Sequence, residues 1–304
     1  MRGHGALSCA GPSRATRKLR GPPGSVPEGR FLLRQTGGTI VRKTNILDLG
    51  KMKAEGSKIV MITAYDALFS RIFDECGVDV ILVGDSLGMV VLGHPDTLNV
   101  TMDDMVRHTE AAARGRRRAF LMADMPFLSY QASTADAVRN AGRLLQAGAE
   151  AVKLEGGRNA ASMIRAIASA DIPVMAHIGL TPQSIHRMGG YRVQGKTDPQ
   201  RERLLDDAAA AQEAGAFSLL LEGIPASLAA EITQALSIPT VGIGAGPGCD
   251  GQVLVMQDLL GLFDEFRPKF VKRFGELRKP VEDAVSAYAA AVRDGSFPGR
   301  EHSF

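Results

Sequence analysis

The sequence predicts an α/β protein, a single-domain (β/α)₈ TIM barrel, on three observations. Five short apolar runs each end on polar residues: V-D-V-I-L-V-G-D-S (78–86), A-F-L-M-A-D (119–124), A-V-K-L-E-G (151–156), P-V-M-A-H (173–177) and S-L-L-L-E-G (218–223). Buried parallel strands that deliver chemistry at their C-terminal ends have this pattern. Strand and helix patterns then alternate through seven β/α units, with an eighth strand left open, and all the polar tips fall on one end, where barrels carry their active sites. Finally, the first turn, Thr63-Ala64-Tyr65-Asp66, holds no glycine. A doubly wound open sheet, the runner-up, normally has a Gly-rich first turn and one switch point.

Residues 1–42 are rich in Gly, Pro, Ser and Arg and lack apolar periodicity, so a disordered N-terminal extension is expected there and the barrel over 43–304. An Arg-rich, acid-poor start also suits an organelle transit peptide; the alternative is an extension with no role in the fold. The first strand is expected at 58–63. A helix from Asp66 to Cys76 follows, with Leu68, Phe69, Ile72 and Phe73 on one face and Gly77 as its stop. After the second strand, Thr101 and Asp104 form a capping-box pattern for a helix turning Met105, Val106, Thr109 and Ala112 inward. Gly115 closes it. Ser133-Thr134 caps a helix to Gln146 whose inner face is Val138, Ala141, Leu144 and Leu145.

Strand four (150–154) leads to a helix near 160–169, and strand five spans 172–177. The run 178–198 has turn chemistry and no period; loops of this length in compact domains are usually functional. A helix over 201–214, strand six (217–221), a helix over 225–236 and strand seven (239–243) follow. G-I-G-A-G at 242–246 sits where many barrels bind phosphate, a weak signal by itself. The stretch 251–256 reads equally as a strand or as the first turn of a helix. The tail carries a helix with Val281, Ala284, Val285, Tyr288 and Val292 spaced for one face.

The 304 residues, 45% of them hydrophobic, suffice for a full barrel core. No apolar run approaches the roughly 20 residues that span a bilayer, so no membrane segment is expected. Three scattered cysteines, Cys9, Cys76 and Cys249, make neither a disulfide framework nor a zinc pattern, which favours a reducing compartment such as the cytoplasm. The organelle matrix is the alternative if 1–42 is a transit peptide. The net charge of +3 comes from residues 1–43, which hold nine Lys/Arg and one acid; the rest carries 27 basic and 32 acidic residues. No aromatic-interleaved basic patch points to nucleic acid.

Alternation places Lys153 with Glu155, Asp124 with Met122, and Asp85 with Ile81 and Val83. Asp85, Asp124 and Glu155 would put three carboxylates at one mouth, where they repel unless neutralised. A hard divalent cation with oxygen ligands and retained water, Mg²⁺, fits that need. The competing reading of each acid is an N-cap on the following helix. Lys153 supplies charge for an anionic substrate, or else simply pairs with Glu155. His177 is open between metal ligand, substrate contact and structural residue. Glu222, behind Leu219-Leu220-Leu221 and across the barrel, should have a raised pKa that suits a general base.

The motifs I-T-A-Y-D, L-V-G-D-S-L-G-M-V-V-L-G-H, D-T-L-N-V-T, A-D-M-P-F, V-K-L-E-G-G, H-I-G-L-T-P-Q-S, G-G-Y-R-V-Q-G-K, G-I-G-A-G, C-D-G-Q-V-L-V and F-P-G-R-E-H-S-F occur in this order over 43–304. In them the chain resembles the ketopantoate (3-methyl-2-oxobutanoate) hydroxymethyltransferase family. The resemblance implies a Mg²⁺-dependent barrel enzyme of pantothenate biosynthesis. It would move a hydroxymethyl group from 5,10-methylenetetrahydrofolate to 3-methyl-2-oxobutanoate through a Mg²⁺-stabilised enolate. By motif, Asp85, Asp124 and Glu155 match the metal-associated acids, Asp85, Ser86, Asp124 and Lys153 the residues around the keto acid, and Glu222 the proton acceptor. A homodecamer of two pentameric rings is implied as well. Gln257 stands where some relatives have His, and Asn99 where Pro is frequent; residues 1–42 have no counterpart. The rival readings are a C–C lyase or mutase of the phosphoenolpyruvate and isocitrate-lyase type, a phosphate-binding synthase built on Gly242 to Gly246, and a non-catalytic barrel. The first typically needs a reactive-cysteine loop, for which Cys76 and Cys249 have no setting.

Overall fold

The computed structural model describes residues 42–263 and 268–304. The expectation for the N-terminal extension lies outside the described residues, except for Arg42. Eight parallel strands close into a barrel in chain order. Helix α1 (Ile46–Ala54) starts with a capping box between Asn45 and Asp48 and sends Leu49 into the bottom of the barrel interior. Then come β1 (Ile59–Thr63), α2 (Ala67–Glu75), β2 (Val80–Val83), the short α3 (Leu87–Val90), α4 (Met102–Gly115), β3 (Phe120–Asp124), α5 (Thr134–Gln146), β4 (Ala151–Glu155) and α6 (Ala161–Ala168). They are followed by β5 (Val174–Gly179), the short α7 (Ile185–Met188), α8 (Asp198–Glu213), β6 (Ser218–Glu222), α9 (Ala226–Ala235), β7 (Thr240–Ile243), β8 (Gly251–Leu254), α10 (Met256–Leu260) and α11 (Arg278–Asp294).

The capping chemistry acts as the sequence predicts: Asp66, Thr101 and Ser133 accept hydrogen bonds from the first turns of α2, α4 and α5. Two apolar layers result. Met61, Val80, Leu82, Phe120, Met122, Met175, Leu220 and Val253 fill the interior, while Ile81, Val83, Leu121, Val152, Leu154 and Leu219 pack outward against the helices. Burying both faces explains why the strands read as continuous apolar runs.

Three expectations change, and a fourth element, the tail helix, keeps its predicted stripe without burying it. The stretch 251–256 is both things at once, a strand to Leu254 and then a helix from Met256. The loop 178–198 contains a 3₁₀ turn, Pro182–Ser184, and α7. On α2, Phe73 is buried but Leu68 and Ile72 are 63% and 42% exposed, so the apolar stripe is wider than the face the barrel covers. No residue of α11 is buried; Val281, Val285, Tyr288 and Val292 are exposed, although the Tyr288 ring meets Phe297 edge-on at 5.6 Å.

The glycine-rich segment also differs from a phosphate loop. The seven residues 244–250 run from the top of β7 to the bottom of β8 with no helix between. Gly246 has φ +79, and a Cβ on it would stand 2.4 Å from the Cβ of Ala226 on α9. The glycines thus let a bare crossover lie against α9. Because no helix follows β7, the outer wall of β1 and β8 is uncovered at the paired residues Val60 and Gln252.

Candidate active site

All the predicted site residues lie at the C-terminal ends of β2 to β6. Asp124, Lys153, Glu155, His177 and Glu222 continue the inward rows that begin with Met122, Ala151, Met175 and Leu220. Asp85 does not share a face with Ile81 and Val83, which point at the helices. Strand β2 ends at Val83, and beyond Gly84 the alternation no longer applies, so Asp85 turns to the mouth and its N–H donates to Asp124 Oδ2 at 3.0 Å. Gly179 ends β5 with φ +99, where a Cβ would stand 2.2 Å from the Glu222 carbonyl oxygen; its absence lets Leu180 N–H bond that oxygen at 2.8 Å.

None of the three acids caps the helix that follows its strand, which removes the capping explanation. Each gives one oxygen to the protein. Asp85 Oδ2 accepts from Gln183 Nε2 (2.8 Å), Asp124 Oδ2 from the Asp85 amide, and Glu155 Oε2 from the Gln183 amide (3.0 Å). Asp124 Oδ1 is buried without an aligned hydrogen bond, 3.2 Å from Lys153 Nζ. Lys153 therefore pairs with Asp124, its neighbour in the β3–β4 register, rather than with Glu155.

Lys153 Nζ also stands 3.4 Å from His177 Nδ1. An ammonium only donates, so Nδ1 is the bare nitrogen and the ring proton sits on Nε2, 3.3 Å from Glu222 Oε2. Burial and the neighbouring Lys153 hold His177 well below its ordinary value, so the ring is neutral. His177 thus stands between Lys153 and Glu222, with Nε2 buried and without an aligned hydrogen bond, and Glu222 stands less apart than the sequence suggested. Ser86 Oγ lies 2.9 Å from the buried Tyr65 hydroxyl, which donates to Thr63 Oγ1.

Four buried or nearly buried carboxyls thus face one ammonium. Burial drives the Asp124 carboxyl up to about 7 against the pull of Lys153, and burial does the same for Glu222, also to about 7. Burial and Asp85 put Glu155 well above the carboxylate range. Burial works against the Lys153 charge, but Asp124, Asp85 and Glu155 outweigh it, so Lys153 stays protonated. Such a site takes up protons or a cation. Sequence reasoning missed Gln183, Tyr65 and Tyr130; all three stand inside or beside quoted motifs, yet no residue chemistry singled them out.

The family profile for ketopantoate hydroxymethyltransferase matches residues 43–300. The chain belongs to this family. It is 62% identical over 264 residues to the 3-methyl-2-oxobutanoate hydroxymethyltransferase of Geobacter sulfurreducens, covering 86% of this chain and 99% of that protein. To the protein of the same name from Pelobacter propionicus it is 61% identical, over 86% of this chain and 98% of the relative. Among solved structures, a phosphonopyruvate hydrolase complexed with oxalate and Mg++ superposes with a TM-score of 0.57 at 15% identity, covering 85% of this chain and 93% of the other. A 2,3-dimethylmalate lyase of the PEP mutase/isocitrate lyase superfamily superposes with 0.55 at 19%, covering 85% and 91%. At such identities these two likenesses speak for the barrel alone.

Proposed function

We propose that the mouth binds 3-methyl-2-oxobutanoate with Mg²⁺, and that its β carbon takes a hydroxymethyl group from 5,10-methylenetetrahydrofolate, giving ketopantoate for pantothenate biosynthesis. Family membership supports the activity. The observation that carries the mechanism is Glu222: a strand-tip carboxyl whose pKa burial lifts to about 7, beside a neutral His177.

Among the described residues, no three His, Cys, Asp or Glu side chains form a ready-made metal cage. Mg²⁺ does not need one, because it usually takes one or two carboxylates and completes its shell with substrate and water. The residues fit it: Asp85, Asp124 and Glu155 would hold it, and the unsatisfied Asp124 Oδ1 is a hard oxygen donor. When bound, the cation draws electron density from the keto acid oxygens and so acidifies the adjacent C–H. Lys153 and Ser86 orient the keto acid by charge and hydroxyl. Water adds to the one-carbon unit held as an iminium on the folate and its C–N bond breaks, releasing formaldehyde and tetrahydrofolate. Glu222 takes the β proton, the carbon left behind attacks the formaldehyde carbonyl, and the alkoxide formed takes up a proton to give the hydroxymethyl product. Ketopantoate formation should stop with a chelator and return with Mg²⁺. Full activity in chelator overturns the metal reading, and no product from these two substrates overturns the function.

The assembly is proposed to be a homo-oligomer, with the decamer of the resemblance as its size. The bare apolar stripe of α11 and the uncovered β1/β8 wall at Val60 support it, a second copy of the chain being the occupant. Val285→Asp should reduce the sedimentation coefficient, and an unchanged one removes α11 from the interface. No helix among the described residues is long and apolar enough to cross a membrane. A cytoplasmic setting is proposed on the unpaired Cys76 and Cys249.

A further inference from the structure

One buried residue outside the predicted set hydrogen-bonds two acids of the cluster. Gln183 lies on the 3₁₀ turn after β5 and is 7% exposed. Its Nε2 donates to Asp85 Oδ2 at 2.8 Å and to the Met125 carbonyl at 2.9 Å. Its Oε1 accepts from the Tyr130 hydroxyl at 2.9 Å and from Gln131 Nε2 at 3.1 Å. Its backbone N–H donates to Glu155 Oε2 at 3.0 Å. Two partners of the NH₂ group are acceptors only and two partners of the oxygen offer protons, so the amide has one orientation. All of its side-chain hydrogen-bonding capacity is used.

The consequence is directional. A carboxylate at a strand tip can rotate, and each rotation presents a different oxygen to the mouth. Gln183 takes Oδ2 of Asp85 and Oε2 of Glu155, leaving Oδ1 and Oε1 to face other groups, while Tyr130 fixes the Glu155 backbone by accepting from its N–H at 3.0 Å. One residue from the β5 loop thereby sets two acids from β2 and β4. Because it sits at the root of the segment 178–198, the same bonds tie that segment to the acids.

We propose that Gln183 is a positioning residue: it holds Asp85 and Glu155 in the rotamers that receive Mg²⁺ and the keto acid, and it couples their binding to the ordering of loop 178–198. This rests on the proposed ligands of the mouth. Partners that orient metal ligands typically change metal affinity by about 10- to 100-fold when removed. Gln183 has no contact with Glu222, so its loss acts on binding and spares proton removal.

The test compares wild-type protein, Gln183→Met, which keeps length without the hydrogen bonds, and Gln131→Leu, which removes one donor to Oε1 together with a long 3.4 Å bond from the Tyr130 N–H and sits on a partly exposed loop. Calorimetry measures Mg²⁺-dependent binding of 3-methyl-2-oxobutanoate, solvent-deuterium exchange at its β carbon gives the rate at saturation, and amide exchange follows residues 178–198. Gln183→Met should weaken binding by about 10- to 100-fold. Its saturated exchange rate should stay within about three-fold of wild type, and the ligand-induced protection of 178–198 should vanish. Gln131→Leu should shift binding in the same direction by less. Equal affinities and equal protection in folded variants overturn the assignment. A wild-type protein that binds no keto acid with Mg²⁺ overturns instead the functional reading on which it rests. If Gln183→Met does not fold, an unshifted Gln131→Leu decides against the proposal.

Discussion

Replacing Glu222 by glutamine should separate binding from proton removal. The amide has nearly the same shape, keeps an oxygen for His177 Nε2 3.3 Å away, and cannot act as a base. Calorimetry should find Mg²⁺ and 3-methyl-2-oxobutanoate bound within about three-fold of wild type, while exchange of the β proton with deuterium falls by about 10²- to 10⁴-fold, the usual contribution of a general base. Stability gives the control. Burial disfavours the Glu222 carboxylate, so a neutral amide leaves the fold no weaker at pH 8.

The same carboxyl sets the pH profile of the wild-type protein. With its pKa near 7, about one tenth of Glu222 is ionised at pH 6 and about nine tenths at pH 8, so saturated exchange should rise about ten-fold between them and then level off. Asp124 also titrates near 7, but its ionisation governs ligand binding, and a bound cation favours its charged form. At saturating Mg²⁺ and keto acid the slope therefore belongs to Glu222. A flat rate from pH 6 to 8, or normal exchange in Glu222→Gln, would refute the assignment.

Asp124→Ala should weaken Mg²⁺-dependent keto acid binding and leave Lys153 Nζ without its 3.2 Å partner, at a cost of about 3–5 kcal/mol in denaturant unfolding; an unchanged metal requirement counts against Asp124. The ligand-free protein should lose stability from pH 5 to pH 8. Asp124, Glu155 and Glu222 keep protons in the fold that the unfolded chain has released, so their contribution is complete below about pH 4; that of Asp124 and Glu222 is lost as pH climbs through about 7, and Glu155, held well above the carboxylate range, acts in the same direction. Lys153 stays charged throughout this window. Mg²⁺ with keto acid should flatten the melting-temperature profile, and a rising profile without ligand would contradict the sign. Gly246→Val should destabilise by about 1–3 kcal/mol through the clash with Ala226, without affecting any phosphate affinity; a stable variant with lost phosphate binding would restore the phosphate-loop reading.

The strand tips were legible because a strand buried on both faces has only one place for an acid, its end. Alternation paired Lys153 with Glu155 and Asp124 with Met122, as the inward rows show, while His177 and Glu222 were placed by their position at strand tips. Asp85 could not: alternation is a property of paired backbone, and β2 stops pairing at Val83, so its direction was read from a rule that no longer held. The glycine segment failed for another reason. A missing Cβ admits a phosphate or a neighbouring helix equally, and only the tertiary neighbour, here Ala226, decides.

Gln183 and α11 mark the two limits of such reading. In T-P-Q-S a glutamine looks like turn chemistry, and its bonds to Asp85, 98 residues away, have no local signature. On α11 the periodicity correctly announced an apolar face, but periodicity says that a face needs cover and not which surface supplies it. Both cases follow from one asymmetry. Local pattern records what each residue must avoid, such as water for Val285 or an unpaired charge for Asp124. The group that satisfies it comes from wherever the chain returns, which for the acids is the β5 loop, while among the described residues none buries the stripe of α11.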